Sequence, residues 1–174
     1  MLIKHKKLTA RLIPRVYLAV DLDNLCLGCR NVTPEMVALT ARNLIAGLAG
    51  AGIDLNNLMV AVAFGAEVKY RDPASLFSWP NSPRPRLLQG HGINGADERL
   101  LDVLNNDPAL RRSRSVVIAS GDHIYSAAID DLNGLGIETT VACHSGSLSA
   151  KLKIACKSNI DTPELSSVEG DWIA

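Results

Sequence analysis

The sequence contains few aromatic residues: two Trp, three Tyr and two Phe make up 4% of 174 residues, so its core must be mainly aliphatic. No apolar run approaches the roughly 18 residues of a membrane span. The first run, residues 16–20, is closed by Asp21 and is too short for a signal-peptide core. Four cysteines are too few for a disulfide framework in a chain of this length. These absences predict a cytoplasmic protein.

Charge is balanced overall but uneven along the chain. Lys plus Arg and Asp plus Glu number 18 each, which excludes a strongly basic nucleic-acid binder as a description of the whole chain. Residues 1–15 carry basic side chains and no acid, whereas residues 158–174 carry acids and no base. We therefore predict a basic N-terminal arm (1–15), one domain (16–157) and an acidic C-terminal tail (158–174).

Short apolar runs alternate with helical patterns along the domain. Strands are predicted at residues 16–21, 58–64, 115–120 and 137–143, with a weaker one at 86–89. Helices are predicted at 34–50, where Thr33 precedes Pro34 as the N-cap, and at 97–104, 124–135 and 148–156. The strands are continuously apolar, as expected when both faces of a parallel sheet are covered. The pattern predicts an α/β three-layer sandwich around a mostly parallel sheet of about five strands.

Acidic residues stand where these strands end. Asp21 and Asp23 follow the first strand, Asp122 follows residues 115–120, and Asp97 opens a helix. Parallel sheets bind ligands beyond the carboxyl ends of their strands, so the acids should converge there. Converging carboxylates repel each other, and Mg²⁺ or Mn²⁺ would relieve that repulsion. Helix capping is the alternative for Asp97 and Asp122. It explains Asp21 poorly, because this acid closes the apolar run 16–20 and a second acid, Asp23, follows two residues later.

Three segments resemble the NYN domain, a branch of the PIN-like metal-dependent ribonucleases. They are Val20-Asp21-Leu22-Asp23-Asn24-Leu25, Asn94-Gly95-Ala96-Asp97 and Val117-Ile118-Ala119-Ser120-Gly121-Asp122. The resemblance runs from about residue 15 to 156. It implies that Asp21, Asp97 and Asp122 hold Mg²⁺ or Mn²⁺ and that RNA is hydrolysed there. It also implies that Asn24 and Ser120 orient Asp21 or contact the scissile phosphate.

One position departs from this family. Many members carry a second acid two residues after the Ser-Gly-Asp turn, where this chain has Ile124. The fourth carboxylate would then be Asp102 or Asp23, or it is absent and the domain is inactive. Asp102 lies five residues after Asp97, about 140° around an ideal helix, so it reaches the same cation only if Asp97 sits at a frayed helix start.

Residues 68–92 interleave aromatic and basic side chains, as single-stranded nucleic-acid sites do. The aromatic residues are Tyr70, Phe77 and Trp79, and the basic ones are Lys69, Arg71, Arg84 and Arg86. The alternative, to which we give equal weight, is a loop whose aromatics pack on the core. His123 at a helix start is either a phosphate contact or general acid, or simply solvated. Cys26-x-x-Cys29 lacks the second pair that a zinc knuckle needs.

Three functions remain open from the sequence. The first is a metal-dependent ribonuclease acting on single-stranded RNA. The second is a non-catalytic RNA-binding or interaction domain of the same fold. The third is a haloacid-dehalogenase-type phosphatase, because Asp21-Leu22-Asp23 resembles that family's nucleophile and acid pair, although no Lys occurs between Arg71 and Lys151. The sequence leaves the oligomeric state open, a homo-oligomer included.

Overall fold

The computed structural model describes residues 16–26, 32–65, 76–77 and 83–163. The predicted basic arm, Cys29 and residues 164–174 lie outside this part of the chain. So do four of the predicted nucleic-acid residues: Lys69, Tyr70, Arg71 and Trp79. Among the described helices, none is both long enough and apolar enough to cross a membrane.

A six-stranded parallel sheet forms the centre of the domain. Its strands are β1 (Val16–Asp21), β2 (Leu58–Phe64), β3 (Arg86–Gln89), β4 (Ser115–Ala119), β5 (Glu138–Cys143) and β6 (Ser158–Asp161). They are ordered β3-β2-β1-β4-β5-β6, and every neighbouring pair is parallel. The predicted α/β sandwich is therefore confirmed, with six strands in place of about five.

Five α-helices that lie wholly within the described residues connect the strands. They are α1 (Leu22–Leu25), α2 (Pro34–Gly50), α3 (Gly95–Asn106), α4 (Ser126–Gly134) and α5 (Ala150–Ala155). Short 3₁₀ turns occupy Leu55–Asn57, Leu110–Arg112, His123–Tyr125 and Ser145–Ser147. The start of α2 follows its sequence pattern, because the Thr33 side chain accepts a hydrogen bond from the Met36 N–H and Pro34 needs no donor there.

The central strands β1, β2 and β4 are buried on both faces, as their apolar residues require. Alternate residues of β1 point to opposite layers. Tyr17 and Ala19 belong to the core formed with α3, α4 and α5, whereas Leu18 and Val20 belong to the core formed with α2. Phe77 is fully buried in the α2 core, so for this aromatic residue the packing alternative is correct and a role in base stacking is wrong.

The strand order reverses between β1 and β4. The chain builds β1, β2 and β3 outward to one side and then crosses back, so that β4 pairs with the free side of β1. In doubly wound sheets such a reversal opens a crevice at the carboxyl ends of the two strands, and ligands bind in it. The turns after β1 and β4 face this crevice, and they carry the acidic segments found in the sequence.

Strand β6 was not predicted. Its residues Ser158-Asn159-Ile160-Asp161 include one apolar side chain, and three of the four are exposed, so no apolar run marks the strand. It pairs with β5, and the Asp161 carboxylate accepts a hydrogen bond from the Ser145 N–H at 2.8 Å. The sheet therefore continues four residues beyond the boundary predicted at residue 157.

Candidate functional site: an acidic cluster at the strand-order reversal

Asp21 lies at the centre of the cluster. The two-residue period of β1 points it to the same layer as Tyr17 and Ala19, and its side chain is 1% exposed. Its Oδ1 accepts a hydrogen bond from the Asn24 N–H at 3.1 Å. Asp21 thus caps α1, contrary to the expectation that capping would not explain it.

The second oxygen of Asp21 receives two hydroxyl groups. Oδ2 accepts hydrogen bonds from Ser120 Oγ at 3.0 Å and from the Tyr125 hydroxyl at 2.9 Å. Burial raises the pKa of Asp21 to about 6 and the charge of Asp97 adds to this rise, while the three hydrogen bonds oppose it. The carboxylate is therefore held in an environment that penalises its charge.

Tyr125 joins Asp21 to Asp97. Its hydroxyl lies 3.1 Å from Asp97 Oδ1 as well as 2.9 Å from Asp21 Oδ2, and the residue is fully buried. Burial raises the pKa of Tyr125 far above its usual range, and the two carboxylates raise it further. Sequence reasoning missed this residue. The available signal was a tyrosine in an apolar segment, because a buried tyrosine hydroxyl usually finds a partner.

Asp97 is the third residue of α3. Asn94 occupies the N-cap position, so the prediction that Asp97 caps or opens the helix is wrong. Burial raises the pKa of Asp97, and the charges of Asp122 and Asp23 raise it further. These interactions place four carboxylates within electrostatic reach of one another: those of Asp21, Asp23, Asp97 and Asp122.

Asp23 faces the end of the neighbouring strand β2. Its two carboxylate oxygens lie 2.9 and 3.1 Å from the Gly65 nitrogen and share its N–H. Burial raises the pKa of Asp23. A Cβ on Gly65 would lie 2.7 Å from Asp23 Oδ2, so glycine leaves the space that this carboxylate occupies. Of the two candidates for the fourth acid, Asp23 is therefore the one that lies in the cluster.

Asn24 and Ser120 connect the turns after β1 and β4. The Asn24 side-chain oxygen accepts a hydrogen bond from the Gly121 N–H at 2.8 Å. Ser120 Oγ donates to Asp21 and accepts from the Asp122 N–H at 3.2 Å. Both side chains link the two turns. Ser120 contacts the Asp21 carboxylate through its side chain, whereas Asn24 contacts it through its backbone N–H.

Asp122 stands at the outer side of the cluster. Its Oδ1 accepts a hydrogen bond from the Ile124 N–H at 3.1 Å, so the capping alternative is correct for this residue. The same oxygen lies 3.0 Å from Nδ1 of the largely exposed His123. Asp122 therefore combines a capping role with a place among the four interacting carboxylates.

Other candidate residues lie apart from this cluster. Asp102 is exposed and accepts a hydrogen bond from Asn106 one turn further along α3. Arg86 begins β3, and its guanidinium pairs with Asp107, the residue that follows α3. This pair lies at the end of the sheet where the strands begin, opposite to the acidic cluster. Arg84 is exposed two residues before β3. The structure thus does not bring Asp102 or Arg86 to the four acids.

The cluster suits a hard divalent cation by its chemistry. Within the described ranges, no Lys or Arg forms an ion pair with any of its four carboxylates. Two of the carboxylates, those of Asp21 and Asp97, contact the Tyr125 hydroxyl, and no group of three His, Cys, Asp or Glu in the described part of the chain is positioned to hold a metal ion. The donor set is the one that Mg²⁺ and Mn²⁺ prefer, and ligation would require these side chains to turn toward a common point.

Comparisons with known proteins add no relative: no family model matches the chain, and neither the curated proteins nor the solved structures give a match. The likeness to the NYN domain therefore stays a prediction from three sequence segments.

Proposed function

We propose that the protein is a metal-dependent ribonuclease whose active site is the acidic cluster formed by Asp21, Asp23, Asp97 and Asp122. The observation that carries this proposal is the concentration of four carboxylates at the strand-order reversal without a described Lys or Arg partner. Burial, and to a lesser degree the charge of Asp97, raise the pKa of Asp21, so keeping this carboxylate charged costs stability that its capping role alone does not explain. Perturbed carboxyl groups gathered in a cleft are typical of catalytic sites.

Asp21, Asp97 and Asp122 would hold Mg²⁺ or Mn²⁺, with Asp23 as the fourth acid. Asp21 Oδ2 already accepts two hydrogen bonds and Oδ1 accepts one, so Oδ1 has room for a single further partner. When bound, the cation would lower the pKa of a water molecule and neutralise charge on the phosphodiester.

The protein's own residues position this chemistry. Ser120 and Tyr125 orient the Asp21 carboxylate through its Oδ2, while Asn24 fixes the turn after β4 through the Gly121 N–H. Because no side chain attacks phosphorus in this scheme, the products would carry a 5′-phosphate and a 3′-hydroxyl, as the resemblance to NYN domains implies. RNA as substrate rests on that same resemblance.

The sequence argues against the phosphatase alternative. That family needs a positioned lysine, and no Lys occurs between Arg71 and Lys151. A dinucleotide-binding site is also disfavoured, although the strand order β3-β2-β1-β4-β5-β6 is the one found in dinucleotide-binding folds. Such sites place a glycine-rich turn after β1 to cradle phosphates, whereas here that turn carries two carboxylates.

The test is cleavage of single-stranded RNA by the purified protein in Mn²⁺, in Mg²⁺ and in EDTA, with a small phosphate ester as the comparison substrate. We expect cleavage of RNA in either cation, none in EDTA, and no hydrolysis of the ester. Hydrolysis of the ester alone would favour the phosphatase. RNA binding without cleavage by a folded protein would favour the non-catalytic domain.

A further inference from the structure

The Tyr125 hydroxyl lies between two carboxylates of the proposed cation site, those of Asp21 and Asp97. It lies 2.9 Å from Asp21 Oδ2 and 3.1 Å from Asp97 Oδ1, so one hydroxyl group is within hydrogen-bonding distance of both carboxylates. We propose that Tyr125 is a positioning residue that substitutes for the cation: it holds Asp21 and Asp97 together in the metal-free site, and it weakens cation binding by stabilising that state. This inference rests on the cation site of the proposed function.

A hydroxyl group has one proton, so Tyr125 donates to only one of the two carboxylates at a time. It can nevertheless keep both close, because either oxygen can accept that proton with little movement of the ring. Ser120 and the Asn24 N–H do not share this property, since within the hydrogen bonds described here each donates to Asp21 and not to Asp97. Tyr125 is therefore the donor that spans the two acids.

The hydroxyl stabilises the metal-free state more than the cation-bound state. A hydrogen bond to a charged acceptor is stronger than one to a neutral acceptor, and a carboxylate that ligates a cation has part of its charge withdrawn. Loss of the hydroxyl would thus raise the free energy of the metal-free site more than that of the loaded site. A ligand's affinity rises when the state that lacks the ligand is selectively destabilised, so Tyr125→Phe should bind the cation more tightly.

The chain supplies a matched control at the other edge of its sheet. Tyr17 is as deeply buried as Tyr125, and its hydroxyl donates to a carboxylate, Asp107 Oδ2, at the same distance of 2.9 Å. Asp107 pairs with Arg86 and is not part of the acidic cluster. Tyr17→Phe therefore removes the same group from the same kind of contact without touching the proposed cation site.

The experiment measures Mn²⁺ binding to the full chain at pH 8 by electron paramagnetic resonance titration, with circular dichroism to verify folding. We expect Tyr125→Phe to bind Mn²⁺ about three- to tenfold more tightly than the parent, a change in line with the loss of one hydrogen bond to a charged group. Tyr17→Phe should bind as the parent does. General loss of structure would lower affinity, so a rise cannot arise from a damaged fold.

Unchanged or weaker Mn²⁺ binding by a folded Tyr125→Phe would overturn the inference. If that variant does not fold, Ser120→Ala takes its place, because it also removes a donor from Asp21 Oδ2. We expect a smaller rise in affinity, and no rise would overturn the inference. Mn²⁺ binding that follows these expectations in a protein that cleaves no RNA would reject the ribonuclease and leave the role of Tyr125 supported. Absence of Mn²⁺ binding by the parent and both variants would overturn both proposals.

Discussion

The end of the sheet where its strands begin, here called the amino edge, and the end where they finish, the carboxyl edge, each carry a buried tyrosine hydroxyl bonded to aspartate. The charges at these two ends are compensated differently. At the amino edge, Tyr17 donates to Asp107, whose carboxylate also lies 3.3 Å from the Arg86 guanidinium and accepts the Ala109 N–H at 2.7 Å. At the carboxyl edge, Tyr125 is shared by Asp21 and Asp97, and no described Lys or Arg pairs with either.

This difference separates a structural polar contact from a candidate active site. The amino edge has one carboxylate and one cation, which is the usual way that proteins stabilise a buried charge. At the carboxyl edge, burial raises the pKa of Asp97 and the charges of Asp122 and Asp23 raise it further, and the proposed cation would offset this accumulation of negative charge. The predictions below test whether the two edges differ in function as they differ in charge.

The largest expected effect is that of Asp21→Asn. This change keeps the shape but removes a charged ligand, so cleavage of single-stranded RNA in Mn²⁺ should fall by at least about 100-fold, since a lost ligand costs several kcal/mol of transition-state stabilisation. The matched variant at the amino edge, Asp107→Asn, should cleave as the parent does but unfold more easily. Equal cleavage by Asp21→Asn and the parent, or cleavage that persists in EDTA, would contradict the proposed mechanism.

Stability of the metal-free protein should depend on pH through Asp21. Its pKa is raised in the folded state to about 6 from 3.8, so the folded protein binds this proton more tightly than the unfolded chain does. The stabilisation is complete below about pH 4 and is lost as pH rises through 6, a change of about 3 kcal/mol. Chemical unfolding in EDTA from pH 4 to 7 should therefore show the parent losing stability relative to Asp21→Asn by about this amount.

The control for this profile is Gly134→Ala, which leaves Asp21 and every ionisable group in place and whose added Cβ meets open space, so its curve should run parallel to that of the parent. At neutral pH, Asp21→Asn should be the more stable protein, because it buries a neutral amide in place of a charge. A constant difference between the parent and Asp21→Asn across the range would mean that Asp21 does not titrate abnormally.

Gly65→Ala tests whether Asp23 belongs to the cation site. The added Cβ would lie 2.7 Å from Asp23 Oδ2, and the flexible carboxylate would have to move. We expect Mn²⁺ affinity to fall by about tenfold, because the Asp23 carboxylate that the new Cβ displaces would itself contact the cation. In Gly134→Ala the Cβ meets open space in α4, so Mn²⁺ binding should not change. Binding weakened by Asp102→Asn but not by Gly65→Ala would assign the fourth acid to Asp102.

Much of the fold could be predicted from local patterns. The bounds of β1, β2 and β3 match their predicted ranges, because β1 and β2 are continuous buried apolar runs and the two leucines of β3 stand between Pro85 and Gly90. β6 could not be found this way, since its stability comes from pairing with β5 and its side chains are mostly exposed. The sequence pattern predicts the start of α3 two residues late, because Asp97 has the side chain of a typical first-turn or capping residue whereas the helix begins at Gly95.

The site was predictable in its acids but not in its hydrogen bonds. Parallel strands bring their carboxyl ends to one edge, so Asp21 and Asp122 could be placed near each other from the sequence alone. The distances from Tyr125 and Gly65 to the acids depend on how α3 and the strand ends pack, which no local pattern encodes. For the same reason Arg86 looked like a phosphate contact, although its partner is Asp107, 21 residues away.

The smallest expected effects are those of the two arginines near β3. Arg86 is 57% exposed and paired with Asp107, so Arg86→Ala should lower the free energy of unfolding by about 0.5 kcal/mol and leave RNA affinity unchanged.

Arg84 is exposed, and no ion pair is described for it. If it contacts a phosphate, Arg84→Ala should reduce the slope of log affinity against log salt concentration by about one. Filter binding of single-stranded RNA over a range of salt concentrations, in Ca²⁺ to limit cleavage, measures both variants. A reduced slope for Arg86→Ala and not for Arg84→Ala would mean that Arg86 leaves Asp107 to bind RNA, and the amino edge would then share in the function assigned to the carboxyl edge.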